Sequence, residues 1–134
     1  MIEIGTEFRH RFRFSQTDVV LFAKVSGDNN PIHLDETYAA TTQFGRPIIH
    51  GMLGTTVFTK VLGTMFPGKG SIYVRQTIDF KRPMFVDTDY EAVFKIVAIY
   101  PEKHFADIST EIFDVTTGKI TTQGMATMMH KEHF

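Results

Sequence analysis

The stretch GMLGTTVFTKVLGTMF, residues 51–66, decides the fold of this 134-residue chain. Its apolar side chains cover more than one face of a helix, and a single charged residue, Lys60, interrupts them. The dipeptide Pro67-Gly68 then supplies a helix stop. Because a helix that is apolar nearly all round is normally buried, the sequence predicts a long, buried central helix over this stretch.

The segments on either side of this helix predict an antiparallel sheet. Residues 8–14 alternate phenylalanine and histidine with arginine, as in a half-buried strand. Further strand-like runs follow the helix over 72–80, 90–100, 106–112 and 120–129. Helices gathered in one half and strands in the other predict an α+β domain, in which a curved antiparallel β-sheet wraps the long central helix.

Two shorter helices are predicted before the central one. Ser15 and Asp18 have the spacing of a capping box. Residues 19–25 are apolar enough for a short buried helix, and Gly27 suits its C-terminal stop. A second short helix is predicted over 35–42.

Length and composition predict one domain, residues 1–134, with the ordinary make-up of a globular protein, 43% hydrophobic and 22% charged. A formal net charge of −1 argues against nucleic acid or an anionic membrane as a partner. The absence of cysteine excludes disulfides and cysteine-ligated zinc. With no signal-peptide pattern and no apolar run near the roughly 20 residues of a membrane span, we expect a cytoplasmic protein.

A polar segment upstream of the central helix, SGDNNPIH at residues 26–33, carries candidate chemistry. Taken alone, it has the composition of a helix end followed by a turn. However, Asp28 and His33 place a carboxylate and an imidazole five residues apart across a proline-stiffened turn. Gly51 then begins the central helix, where unpaired N–H groups and the helix dipole suit a developing oxyanion. Together these groups are the ones required to add water to a polarised C=C bond.

These segments resemble the landmarks of the MaoC-like hydratases, which have the hot-dog fold. FAKVSGDNNPIH, residues 22–33, followed after five residues by Ala39, resembles the family signature. GRPIIHGML, residues 45–53, resembles the start of the family's central helix, and residues 67–73 and 76–83 resemble the segment that follows in short (R)-specific enoyl-CoA hydratases. The resemblance covers nearly the whole chain in order and implies a single hot-dog hydratase domain.

The resemblance implies a role for each matching residue. Asp28 would position and deprotonate water for attack at Cβ of a trans-2-enoyl-CoA, and His33 would hold this water or deliver the proton to Cα. The Gly51 N–H would bind the thioester oxygen, and Asn30 would hold the loop in shape. The product would be an (R)-3-hydroxyacyl-CoA. The reaction requires no metal and no cofactor, because the CoA thioester is the substrate.

The resemblance also implies where the acyl chain lies. Thr59 would border the active site and Leu62 would border the acyl pocket, although both are also ordinary core positions. Thr55 lies on the same helical stripe and is interpreted as a core residue. Because the best-known short-chain hydratases carry serine where this chain has Thr59, the preferred chain length stays open.

The surrounding charges and histidines leave alternatives open. Arg75, Lys81 and Arg82 would lie near the pantetheine channel, either to meet CoA phosphates or as simple surface charge. His50 either braces the active-site loop or is structural. The remaining histidines are interpreted as structural or surface residues: His10, His104, His130 and His133.

Other functions and partners are weighed on the same residues. A 3-hydroxyacyl-acyl carrier protein (ACP) dehydratase would use the same acid–base pair, so acyl-ACP is the alternative substrate. A hot-dog thioesterase commonly has an acidic residue on or beside its central helix, and residues 51–66 contain none. A non-catalytic acyl-binding module would not require Asp28, Asn30, His33 and Gly51 together. By analogy with other hot-dog domains, whose edge strands pair across a two-fold axis, we expect a homodimer.

Overall fold

The computed structural model describes residues 1–134 and contains four helices and six strands. In chain order they are β1 (Glu7–Phe12), α1 (Gln16–Ser26), α2 (Pro31–Leu34), α3 (Glu36–Ala40), α4 (Gly51–Thr64), β2 (Ile72–Gln76), β3 (Asp79–Phe80), β4 (Tyr90–Tyr100), β5 (Phe105–Asp114) and β6 (Ile120–Met129). None of the helices has both the length and the apolar character needed to cross a membrane.

One antiparallel sheet holds all six strands. Its order is β1-β4-β5-β6-β2, and the two-residue β3 pairs with β6 as well. The helix α4 packs on one face of this sheet, where Phe58 meets Phe94 edge to face with ring centroids 5.9 Å apart. The predicted α+β hot-dog fold, a long central helix wrapped by an antiparallel sheet, is confirmed.

Burial of α4 accounts for much of the core. Its most deeply buried side chains are Phe58, Val61 and Leu62, with 1% exposure or less. Burying a side chain of this size stabilises the fold by about 1.5–3 kcal/mol relative to leaving it in water. The opposite stripe of the helix, which includes Met52 and Thr59, is exposed. The central helix therefore keeps one face open to a possible ligand.

Caps set the ends of the short helices. In the predicted capping box, the Asp18 N–H donates to Ser15 Oγ over 3.1 Å, and the Ser15 N–H donates to Asp18 Oδ2 over 2.9 Å. Gly27 ends α1 in the left-handed conformation, with φ 79°. The Asp35 side chain caps α3 by accepting two backbone N–H groups. Each cap satisfies backbone groups that the helix itself leaves unpaired.

The expectation that residues 19–25 form a buried helix is wrong for most of that segment. Only Val19 and Ala23 are buried, whereas Val25 is 88% exposed. The helix α1 lies across the outside of the core and turns only one face towards it. The single turn α2 is an element that hydrophobic periodicity does not indicate, because it begins from Pro31 and the Asn30 cap rather than from an apolar stripe.

The strand predicted over 72–80 is divided into β2 and β3. The division lies at Thr77, whose carbonyl oxygen would be 1.8 Å from a Cβ atom on Gly124 of β6. Only glycine admits so close an approach of two backbones. The Thr77 side chain instead accepts the Met125 N–H over 3.0 Å, which replaces a ladder hydrogen bond.

The alternation along β2 is also reversed relative to the apolar pattern. A register shift lies between Tyr73 and Arg75, and Tyr73 packs against the core. Ile72 and Val74 are 55% and 45% exposed. The outer edge of the sheet at β2 is therefore both unpaired and apolar.

Candidate active site

Asp28, His33 and Gly51, which belong to three different segments of the chain, line one cavity of about 450 Å³. Asp28 lies in the loop after α1, His33 is on α2, and Gly51 is the first residue of α4. Asp28 is the only residue with a carboxylate that lines the cavity, and α4 contains no acidic residue. The structure thus brings together the three residues that the sequence assigns to chemistry.

The Asp28 carboxylate and the His33 imidazole face each other without touching. Asp28 Oδ2 lies 4.0 Å from His33 Nε2, which is longer than a direct hydrogen bond. The Asp28 side chain is half exposed, whereas that of His33 is 10% exposed. A second carboxylate oxygen, Oδ1, accepts the Asn30 N–H over 3.2 Å and so fixes the orientation of the group.

The backbone of the neighbouring loop sets the tautomer of His33. Its Nδ1 lies 2.7 Å from the Ile48 carbonyl oxygen, which can only accept, so Nδ1 carries the hydrogen. Burial lowers the pKa of His33 below its ordinary value, and the nearby His50 lowers it further, against the opposing effects of the Ile48 hydrogen bond and Asp28. The neutral ring is favoured, and its bare Nε2 faces Asp28.

His50 contacts both members of this pair. Its Nε2 donates to the Asp28 backbone carbonyl over 2.9 Å, and its ring stacks on that of His33 with centroids 3.8 Å apart and planes inclined by 25°. Phe22 packs edge-on against the other side, with centroids 4.9 Å apart. Of the two interpretations of His50, these contacts favour the loop brace.

The ligand atoms of Asp28, His33 and His50 lie within 4.8 Å of one another, close enough to raise the possibility of a metal ion. Imidazole nitrogens bind metals in the plane of the ring, at about 2.0–2.1 Å for zinc. The two stacked rings, with centroids 3.8 Å apart and planes inclined by only 25°, lie in nearly parallel planes, and a single ion cannot lie in both planes at bonding distance. The arrangement of these side chains does not fit a metal site.

Gly51 presents a backbone donor to the cavity. As the first residue of α4, its N–H has no earlier helical carbonyl to bind, and the N-cap residue His50 makes no side-chain cap. The helix dipole adds positive character at this end. Asn30, by contrast, does not line the cavity: its side chain accepts the Ile32 N–H over 3.2 Å and shapes the loop.

A second cavity of about 320 Å³ lies beside the exposed stripe of α4. Thr59 lines it, as does Thr55, and Met52 lines both this cavity and the first one. Leu62 is completely buried in the core and lines neither. The structure therefore separates the two residues that the sequence places together at the acyl chain.

The three cations singled out in the sequence lie in two places. Lys81 and Arg82 line the first cavity, and Arg82 Nη1 donates to the Ile120 carbonyl over 2.7 Å. Arg75 lies in a different depression, beside Tyr100. None of the three forms a salt bridge, whereas the arginines of β1 do.

Some residues of the site carry no signal in the sequence. Ile48 acts through its carbonyl oxygen, which every residue type has, and Gln16 donates from its side chain to the His33 carbonyl over 3.2 Å. Phe80 lines the cavity from β3, within a segment whose pattern indicates only a strand. Nothing in residue type or spacing identifies these contacts.

Comparison with known proteins places the chain in one group. The family described as MaoC like domain matches residues 2–125. The chain is 45% identical to an (R)-specific enoyl-CoA hydratase of Aeromonas caviae, over 84% of this chain and 84% of that protein. It is 28% identical to a mitochondrial 3-hydroxyacyl-[acyl-carrier-protein] dehydratase of Arabidopsis thaliana, over 95% of this chain and 76% of that protein.

Comparison with solved structures leads to the same family. The solved structure of the (R)-hydratase from A. caviae involved in PHA biosynthesis superposes with a TM-score of 0.92 at 41% sequence identity. The superposition covers 96% of this chain and 97% of that one.

Proposed function

Because the chain belongs to the MaoC-like family and is one of its hydro-lyases, we propose that it adds water reversibly to trans-2-enoyl-CoA, forming (R)-3-hydroxyacyl-CoA. The observation that carries the proposal is the 4.0 Å gap between Asp28 Oδ2 and His33 Nε2, in the cavity that Gly51 also lines. The similarity to (R)-specific enoyl-CoA hydratases supports the same reaction.

The gap between Asp28 and His33 has the right size for one water molecule. Both facing atoms are acceptors, because His33 Nδ1 holds the ring's hydrogen and leaves Nε2 bare. A water molecule has two hydrogens and donates one to each, at about 2.8 Å from both. Its oxygen lone pair then points away from the pair, towards the substrate.

In the addition, the Gly51 N–H acts as the hydrogen-bond donor to the developing oxyanion. The water oxygen forms a bond to Cβ, the π electrons move towards the thioester oxygen, and the Gly51 N–H stabilises the resulting negative charge. The proton that leaves water passes to the Asp28–His33 pair and returns to Cα as the enolate collapses. Acid–base groups of this kind contribute roughly 10²–10⁴-fold to a rate, and one oxyanion donor about 3 kcal/mol.

The placement of both groups on one side of the substrate makes the addition syn, and the (R) configuration is proposed from the similarity to (R)-specific enoyl-CoA hydratases. The water oxygen and the returning proton come from the same pair of side chains, so both add to the same face of the double bond. Asp28 is the only carboxylate that lines the cavity, and Phe80 and Met84 contribute apolar surface to its lining. Addition is therefore syn.

The acyl chain occupies the second cavity, beside α4. Its wall is nearly all apolar, and the Thr59 hydroxyl narrows it on the helix side. Met52 lies between this cavity and the one that holds Asp28, so the acyl chain passes it on leaving the reacting carbons. A cavity of about 320 Å³ accommodates a short chain. Leu62 affects chain length only by supporting this wall from the core.

The carrier is CoA, and Lys81 and Arg82 meet its phosphates. Both lie at the cavity with no carboxylate partner, which leaves their charges free for an anion. The similarity to an ACP dehydratase keeps acyl-ACP as the second candidate. Removing both charges, in a Lys81→Gln/Arg82→Gln variant, should raise KM for crotonyl-CoA and leave KM for crotonyl-pantetheine, which lacks those phosphates, unchanged. Arg75→Gln is the matched control.

The protein forms a homodimer through the edge of its sheet. The outer edge of β2 has no partner strand, and Ile72 and Val74 expose apolar surface along it. Such an edge is normally covered in a native protein. Light scattering should give twice the chain mass of 15.3 kDa, and Val74→Lys should weaken the dimer. A monomeric wild-type protein would contradict this part of the proposal.

The reaction itself is tested with crotonyl-CoA. Purified protein should remove the absorbance of the enoyl thioester, and the product should yield no NADH with an (S)-specific 3-hydroxyacyl-CoA dehydrogenase. NADH formation would refute the (R) assignment. A higher kcat/KM with crotonyl-ACP than with crotonyl-CoA would show that the preferred carrier is ACP rather than CoA. Release of free CoA without hydration would instead indicate a thioesterase.

A further inference from the structure

The ring of Phe80 packs directly against the backbone of Gly51. A Cβ atom built on Gly51 would lie 2.7 Å from Cε1 and 2.9 Å from Cδ1 of this ring. No side chain larger than hydrogen fits there while the ring keeps its place. The contact joins β3 to the first residue of α4, beside the N–H that faces the cavity.

The backbone of Gly51 gives no other reason for glycine. Six glycines of the chain have a positive φ, and Gly51 is not among them. An alanine in its place would have an ordinary helical conformation and a better helix propensity. The contact with Phe80 is therefore the feature that a side chain at this position would disturb.

Core packing does not account for the position of Phe80 either. Its ring is 52% exposed and lines the cavity that contains Asp28 and His33. The backbone around it is held firmly, since Phe80 pairs with Thr122 and the Lys81 N–H donates to the Thr121 carbonyl over 2.8 Å. A fixed backbone thus presents a large apolar ring to the cavity, and half of the ring's surface is exposed in the single chain.

We propose that Phe80 orients the substrate: its ring forms the apolar wall that holds the thioester carbonyl against the Gly51 N–H. The glycine admits the ring, and the ring excludes water from the donor's side of the cavity. A hydrogen bond to a developing oxyanion is stronger when water is excluded from it. The inference rests on the proposed hydration of enoyl-CoA and names a further specificity-determining residue for it.

The test is a set of four variants measured with crotonyl-CoA: Phe80→Ala, Phe80→Leu, Gly51→Ala and the Gly51→Ala/Phe80→Ala pair. Phe80→Ala should lower kcat roughly 10- to 100-fold with a much smaller change in KM, because a misplaced reacting group costs rate rather than affinity. Phe80→Leu restores an apolar wall and should recover most of the rate. Tyr38→Ala, which removes another half-exposed aromatic ring that lines neither cavity, should have no effect.

The double variant tests whether glycine is required at position 51 because of Phe80 or for an independent reason. The half-exposed ring can swing aside, so Gly51→Ala should displace it, keep the wild-type Tm within a few degrees and lower kcat to about the level of Phe80→Ala. The double variant should then be no slower than the slower single variant, since both changes remove the same wall. If Phe80→Ala fails to fold, the kcat of Gly51→Ala decides the test by itself.

Two results would overturn the inference. One is a Phe80→Ala protein with the wild-type kcat. The other is a double variant whose loss equals the product of the two single losses, because Gly51 would then act independently of Phe80. A wild-type protein with no hydratase activity would refute the proposed function together with this inference, whereas an active wild type with an unaffected Phe80→Ala variant refutes the inference alone.

Discussion

Two pairs of histidine rings lie in different halves of the chain, and only one of them belongs to the candidate active site. His33 and His50 stack with centroids 3.8 Å apart, beside the Asp28 carboxylate. His130 and His133, near the C-terminus, lie 4.4 Å apart with their planes inclined by 41°. Residue type and ring contact are nearly the same in the two pairs.

The difference lies in what the ring nitrogens bind. His130 Nε2 donates to the Lys69 carbonyl over 2.9 Å, and its Nδ1 accepts the N–H groups of Glu132 and His133. Both nitrogens of His130 are therefore satisfied by backbone. His33 uses only Nδ1 in this way, and its Nε2 faces a cavity and a carboxylate. His33 is available for chemistry because its free nitrogen faces the cavity and the Asp28 carboxylate.

The largest effect is expected from the free nitrogen and its carboxylate. His33→Gln and Asp28→Asn should each lower kcat/KM for crotonyl-CoA by roughly 10²–10⁴-fold, because each replaces a basic group that can take the proton of the attacking water with an amide that cannot. The loss of enoyl absorbance measures the rate, and the Tm of each variant should stay close to that of the wild type. Full activity in either variant would contradict the role of Asp28 and His33 in the reaction, and with it the functional difference between the two histidine pairs.

The second prediction concerns His130, both of whose ring nitrogens have backbone partners. His130→Ala should destabilise the protein by about 2–3 kcal/mol, because it leaves three partly buried backbone groups without their partner and removes a buried ring. Urea unfolding at one fixed protein concentration measures the change. Activity per folded molecule should equal that of the wild type. A fall in kcat with unchanged stability would show instead that His130 takes part in the reaction.

A smaller effect is expected from His50, which should act by positioning the pair. His50→Phe keeps the stacked ring but removes the donor to the Asp28 carbonyl, and we expect kcat to fall roughly 3- to 10-fold with little change in KM. His133→Phe is the matched control in the other pair and should leave kcat unchanged. Equal kcat values for the wild type and His50→Phe would show that the hydrogen bond from His50 to the Asp28 carbonyl does not contribute to the rate.

The smallest effect is a displacement of the pH profile. Burial lowers the pKa of His33 below its ordinary 6.5, so the acid limb of kcat/KM should have its midpoint below 6.5. His50→Phe removes a neighbour that lowers this pKa, and the midpoint should move upward.

The same shift has a consequence for folding. Between the lowered pKa of folded His33 and 6.5, the unfolded chain binds more protons, so stability should fall as pH drops through that window. The His33→Gln variant lacks this contribution and should be less sensitive to pH there. A wild-type acid limb centred above 6.5 would contradict both predictions.

Local sequence signals predicted a large part of this molecule. The central helix over 51–66 is observed as Gly51–Thr64, and the strand runs 90–100 and 120–129 match β4 and β6. These elements depend on periodicity and on stops within a few residues, which a sequence displays directly. The run 72–80 was harder because its division depends on Gly124, about 45 residues away, and on the approach of two backbones.

The sequence by itself determined the elements, the caps and the residue types at the site. Local patterns among neighbouring residues are enough to identify Asp28, His33 and the start of the helix at Gly51. Only the tertiary structure decided which nitrogen of His33 is free, that His50 reaches the Asp28 carbonyl across 22 positions, and that Phe80 lies on Gly51. The first two contacts are made to backbone carbonyl oxygens, which are chemically alike in every residue. Their selection depends on the path of the folded chain rather than on the identity of the residue that carries the oxygen.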